Sequence, residues 1–452
     1  MPTTLPRRAG ALTLILLIMS VSVFHTSPAR AQQSAAPTDG TLPPPPGDDD
    51  FPIYPSFSPA TLTVGPSPGN QYANLQAAID AARPGDTILL EAGQTFMPAA
   101  GNSFILRNKN TTSDAWITIR TSAPDASLPP EGRRITPAYA NVMPKLQARF
   151  AENRFVVKTE QGAHHYRLLG IEITAPLPPP HPSNFNIFAL VELGERGQWD
   201  INQVPRDLTI DRCYIHGNEE LNLRNGISLH SARTNIINSH ISDCHSTPAE
   251  GSESRAIWGS SGPGPYKIIN NYLEAATENI LFGGEATHFI PSDIEIRRNH
   301  LFKPLAWRAS GRWSVKNLLE LKQARRVTID GNILEHCWRA GQVGFAVLFT
   351  VYGSDVIEDV TFTNNIVRHA AFGVQFKNDG ARSKRITVRN NLFDDIDGPR
   401  WYGIDRDATT GHFIQFDNGM DGLTVDHNTV FHTGSAATIT GSTVSGFVFN
   451  NN

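Results

Sequence analysis

Three pairs of polar residues sit at equivalent places in this chain: Glu320 and Lys322, Gln375 and Lys377, Gln415 and Asp417. One residue separates the members of each pair, in LELK, VQFK and IQFD, so on an extended strand both point to the same face. A lysine shielded from water, or placed beside another cation, gives up its proton more readily and can act as a base. Proton removal next to a carboxylate, with that carboxylate neutralised, is what a β-elimination requires. Lys322 and Lys377 are therefore the candidate catalytic bases. Glu320, Gln375 and Gln415 are candidate substrate contacts, with His230 in the same outward column as Lys322. Glu320 and Asp417 could also hold Ca²⁺ if loop oxygens completed the site. The plainer alternative is a face of solvated cross-strand pairs, with Lys377 and Asp417 as one ladder ion pair.

A repeated phrase positions these residues. Ten-residue copies run from LTIDRCYIHG (208–217) through NIINSHISDC (235–244), YKIINNYLEA (266–275) and VTIDGNILEH (327–336) to LTVDHNTVFH (423–432), and the sequence stops on a ninth, shortened copy at 447–452. The sixth position is Asn271, Asn299, Asn332, Asn365, Asn391, Asn428 and Asn452, with Cys213 and His240 as the exceptions. Alternating β-branched and aromatic residues predict a strand before that Asn, which itself marks a tight turn. A short apolar run follows each Asn, and another strand precedes each phrase, as in NLLELK (317–322) and FIQFD (413–417). Three short strands per copy, with no hairpin signals, predict an all-β, right-handed parallel β-helix in which each coil stacks on the next. Alternation then gives two outward columns on the preceding strands. One is Glu192, Ser228, Leu281, Glu320, Leu348, Gln375, Gln415, Thr438; the other is Gly194, His230, Gly283, Lys322, Thr350, Lys377, Asp417, Thr440. The coil carrying Trp258 has no unambiguous register.

The ends set the context. Arg7 and Arg8, an apolar run over 12–24 and Ala29-Arg30-Ala31 predict a signal peptide over residues 1–31 and an exported protein, secreted or periplasmic. That run is too short for a membrane span, and nothing later could insert. Residues 32–68, rich in Pro, read as a linker, and the β-helix is expected over 69–452. Asn74 should cap a short helix over 75–82, ended by Pro84-Gly85-Asp86, that covers the first coil. No capping element follows Asn452, so that end reads as uncapped or truncated. A formal net charge of −4 with mixed signs excludes a general nucleic-acid binder. Cys213, Cys244 and Cys337 read as buried free thiols in a monomer, and no Cys/His spacing marks a zinc site.

The stretch NLQAAIDAARPGDTILLEAGQTF (74–96), together with the coil pattern, resembles the pectate-lyase-like β-helix superfamily. The resemblance implies a polysaccharide bound along the sheet of preceding strands, between walls of long loops. In those loops Trp307, Arg308, Arg312 and Trp313 are the first candidates for stacking on sugars and pairing with their carboxylates, with Trp338, Arg339, Trp401 and Tyr402 beyond them. LTVDHNTVF (423–431) resembles the Asp-His-Asn strand of pectate lyases, but the companion Arg-x-Pro-x-x-Arg is missing and the segment reads as one more repeat. His336, His369 and His432 share the tenth position; a metal is conceivable there, and a side-chain ladder at a coil corner is the first reading. The expected function is cleavage of a uronic-acid-containing glycan by a lyase. The alternative is a non-catalytic glycan-binding or adhesive β-helix. A hydrolase ranks lower, because Glu320 and Asp417 stand about 14 Å apart by rung spacing, wider than two hydrolytic carboxylates.

Overall fold

Short strands with one apolar face cannot bury it alone, and here each does so by stacking on the strand one coil away. The computed structural model describes residues 60–149, 154–175, 186–251, 253–401 and 410–452. The expected signal peptide, most of the linker and Tyr402 lie outside the described residues. Three parallel sheets of 13, 11 and 11 strands run the length of the solenoid. The first holds the opening half of each phrase, such as Ala324–Asp330; the second holds the preceding strands, such as Leu319–Leu321; the third follows the Asn, as in Ile333–Cys337. The chain is thus a right-handed parallel β-helix.

Inward residues form one continuous core. Phe349, Phe376 and Phe416 stack on successive rungs with centroids 5.2 and 5.5 Å apart. At the Asn turn, the backbone N–H of Asn271 donates to Oδ1 of Asn299 at 2.9 Å, and Asn299 donates in the same way to Asn332. The pattern continues through Asn365, Asn391 and Asn428 to Asn452. At its other end the ladder is carried by Ser239, whose N–H donates to Asn271 and whose Oγ accepts from the N–H of Cys213. Leu208 pairs with Thr234 and Thr234 with Tyr266, so that copy begins one residue earlier than its apolar pattern indicates. Ser239, not His240, holds the sixth position.

The N-terminal boundary also moves. Thr61–Val64 is a strand of the first sheet, paired with Thr87–Leu90, so folded structure reaches into the segment read as linker. Its alternation is hidden between Pro59 and Pro66. The capping helix spans Leu75–Ala81, and Oδ1 of Asn74 accepts from the N–H of Gln76 at 2.7 Å. All three cysteines are buried and free. Among the described residues no helix is long and apolar enough to cross a membrane.

Candidate functional site

Pairing in the second sheet gives the outward column as Glu192, Ser228, Trp258, Leu281, Glu320, Leu348, Gln375, Gln415 and Thr438. Trp258 takes the place that its sequence left open. Lys377 lies between Thr350 and Asp417 in the neighbouring column. The middle of this face is mostly closed: Glu320, Leu281 and Leu348 are buried, while Gln375 and Gln415 remain partly open.

Glu320 and Lys322 are brought together, with Nζ 3.6 Å from Oε1. Lys322 is a quarter exposed, whereas Glu320 has almost no contact with solvent. The amide of Asn317 donates to Glu320 at 3.1 Å and to Oε1 of Gln342 at 3.0 Å. Behind Glu320 stands Glu278, equally buried, which accepts from Nε of Arg255 at 3.2 Å and lies 3.6 Å from Nζ of Lys316. Lys316 and Arg255 also pair with Glu253. Burial, and then the negative charge of Glu278, push the Glu320 carboxyl up to about 7. Burial would raise Glu278 as well, but Arg255, Lys316 and Lys322 outweigh it and hold that carboxyl below its ordinary range. Two neighbouring carboxyls with opposite proton affinities are an acid–base arrangement.

Glu278 is absent from the sequence-derived set because period-two alternation fails at the start of its strand, and Arg255 because it shares the coil of Trp258, whose register the sequence leaves open. The N–H groups of Asn279 and Ile280 both donate to the carbonyl of Leu318, at 3.1 and 3.2 Å, the mark of an extra residue. Asn279 then turns to the corner, donating to the carbonyls of Leu273 and Phe302. Fully buried Lys303 locks that corner through the carbonyls of Ala275, Ala276 and Thr277 and Oδ1 of Asn279, at 2.8–3.0 Å. After the strand, Gly283 and Gly284 take left-handed φ values of 89° and 88°. A side chain on Gly284 would come within 3.3 Å of the Lys322 stem, so glycine keeps the approach to that amine clear.

Two rungs on, a separate shelf forms. Asp417 accepts from the amides of Gln375 and Gln415, at 2.5 and 3.0 Å, and from the Thr440 hydroxyl at 2.8 Å. Lys377 lies 5.9 Å over the ring of Tyr352, and the partners of Asp417 are amide and hydroxyl groups in place of the expected ladder ion pair. Glu320 and Asp417 are three rungs apart, about 14 Å, and each is taken up by its own neighbours. That separation rules out one shared Ca²⁺.

Other expected contacts are engaged elsewhere. His230 is fully buried, edge-on to Trp258 at 5.0 Å, with Nδ1 near the N–H of Ser260 and Ser261 at 3.3 and 3.4 Å. Burial pushes its imidazole down to about 3, so it is a neutral packing residue rather than a groove contact. Trp307 and Trp313 are buried with Ala276, Val315 and Trp338, and Trp313 stacks on His245 at 3.7 Å. They plug the loop wall and offer no open stacking face. Arg308 lies over Trp401, and Arg312 reaches the carbonyl of Glu220, so both tie loop to loop. Phe188 and Trp258 form a second buried aromatic cluster, covered by Arg154, Arg196, Arg224 and Arg255. As expected from its repeat character, Asn428 of the Asp-His-Asn stretch is an ordinary ladder member.

Among solved structures, the alginate lyase from Paenibacillus sp. strain FPU-7 is 13% identical over 85% of this chain and 99% of that one, with a TM-score of 0.41. The A-module of the mannuronan C-5 epimerase from Azotobacter vinelandii is 15% identical over 82% of this chain and 94% of its own, TM-score 0.45. The Dettilon tailspike protein is 12% identical over 81% of this chain and 64% of its own, TM-score 0.49. These are likenesses of fold. A comparison with curated proteins gives no match. The model of the right-handed β-helix region matches residues 225–452, and the chain belongs to that family.

Proposed function

We propose that this protein is an exported lyase that cleaves a uronic-acid-containing polysaccharide by β-elimination at Lys322 and Glu320. The observation that carries the reading is the partly open amine of Lys322 held 3.6 Å from a buried carboxyl whose proton affinity is raised to about 7. In this proposal Nζ of Lys322 takes the proton from the carbon next to the substrate carboxylate. The electron pair forms the new double bond, the glycosidic C–O bond breaks, and the departing oxygen takes a proton from Glu320. Lys316 and Arg255 add positive charge beside the site, which favours the developing enolate. Lys377, on the rung beyond Thr350, binds a second uronate about 10 Å away. No step runs through Ca²⁺.

A hydrolase is the second reading, suggested by two buried carboxyls, Glu278 and Glu320, on adjacent strands, although the register partner of Glu320 is Leu281 and Glu278 lies three residues before it. Against it, Glu278 is buried and committed to Arg255 and Lys316. Incubation with a panel of polyuronides distinguishes the readings. Ultraviolet absorbance from unsaturated uronates supports the lyase. New reducing ends without absorbance would replace it with the hydrolase, and retention of glycan without turnover would leave a binding protein.

A further inference from the structure

We propose that Glu335, His336 and His369 form a binding site for a divalent transition metal of the Zn²⁺ or Co²⁺ type, at the corner between the third sheet and the loop wall. One ligand atom from each residue lies within 4.8 Å of the other two. His336 and His369 occupy the same left-handed corner on successive rungs, with φ of 69° and 59°, and their rings stack at 5.4 Å. The shared tenth position of the phrase aligns the two histidines, and Glu335, beside His336 in the chain, completes the set.

The hydrogen bonds around the two rings fix their tautomers. Nδ1 of His336 is 3.0 Å from the carbonyl of Lys303, which can only accept, so Nδ1 carries the proton. Nδ1 of His369 is 2.8 Å from Oδ2 of Asp395 and donates to it. In the neutral imidazole the lone pair then sits on Nε2, the arrangement in which carbonyl or carboxylate partners orient metal-bound histidines. Asp395 is itself held by Nε1 of Trp401 at 2.9 Å, and the Trp401 ring lies 5.7 Å from both imidazoles. Nε2 of His336 stands 4.0 Å from Oε1 of Glu335, too far for a hydrogen bond. Metal–ligand bonds of about 2.0–2.2 Å place tetrahedral ligands about 3.3 Å apart, so side-chain rotation must close the set by about 1 Å. Arg368, which pairs with Glu335 at 3.0 Å, is 40% exposed and free to swing aside. Three protein ligands leave a fourth position for water.

An ion-pair network alone accounts for Glu335 between His300 and Arg368, with Nε2 of His336 at its 4.0 Å edge, but not for the second imidazole stacked beside it. The test is titration of chelator-treated full chain with Co²⁺, followed by visible absorption and by the metal retained after dialysis. One Co²⁺ per chain is expected, with affinity falling at least about 100-fold in His369→Ala and Glu335→Gln, and about 10–100-fold in Asp395→Asn. His427→Ala, at an exposed turn, should bind as wild type does. Should His369→Ala lose its far-ultraviolet circular dichroism, His336→Gln replaces it in the same titration. Wild-type protein without a saturable Co²⁺ band, or ligand variants that bind as well as wild type, would overturn the site.

Discussion

The Asn turn and the central face of the second sheet are built on the same rungs, and they use repetition in opposite ways. At the turn, each rung from Asn271 to Asn452 repeats one side chain and one pair of hydrogen bonds. On the face, Glu278 has Arg255 on the preceding rung, and Glu320 sits between Leu281 and Leu348. Identical neighbours satisfy each other completely and contribute to stability. Dissimilar neighbours hold charges in apolar company, where proton affinities move. In a solenoid, departure from the repeat marks where chemistry can be built.

Breaking the ladder should have the largest effect on the fold. Asn332→Ala removes the donor to the carbonyl of Ile296 and the acceptor for Asn299, all buried. The expected loss is about 3–5 kcal/mol in urea denaturation; under about 1 kcal/mol, the ladder would be ornament. Glu278→Gln comes next, at about 2–4 kcal/mol, because it leaves the nearly buried Arg255 guanidinium with one carboxylate fewer. An unchanged midpoint would mean that Glu253 suffices.

A pH profile sharpens the contrast. Glu320 has its carboxyl raised from 4.5 to about 7, so the fold favours its protonated form. Its contribution to stability is complete below 4.5 and is lost as pH rises through about 7. Glu320→Gln cannot ionise, and should gain on wild type by about 2–3 kcal/mol between about pH 5 and about pH 8. A constant gap would contradict the raised value. The smallest effect belongs to the shelf: Lys377→Ala should raise KM about 2–5-fold, and its exposed position predicts a stability change within about 0.5 kcal/mol.

The repeat made the architecture, the Asn ladder and the outward column through Glu320 readable, because a strand's period of two carries over from coil to coil. The site around that column was only half readable. Glu278 is hidden because an extra residue at Asn279 reverses the alternation, which no residue type announces, and Arg255 because the coil it shares with Trp258 has no unambiguous register in the sequence. Trp307 and Trp313 were rightly placed in the loop wall, but a loop sequence does not say whether an indole turns inward to Val315 or outward to solvent. His230 failed for a related reason: its column faces outward, yet Trp258 and the segment at Ser260 and Ser261 cover it.

The most direct measurement is the rate of unsaturated-uronate formation by wild type and by Lys322→Ala on the polyuronide that wild type cleaves, with circular dichroism on both. A turnover falling by about 10²–10⁴-fold with an intact fold is the predicted result. Undiminished turnover in Lys322→Ala would contradict the assignment of catalysis to the centre of this face.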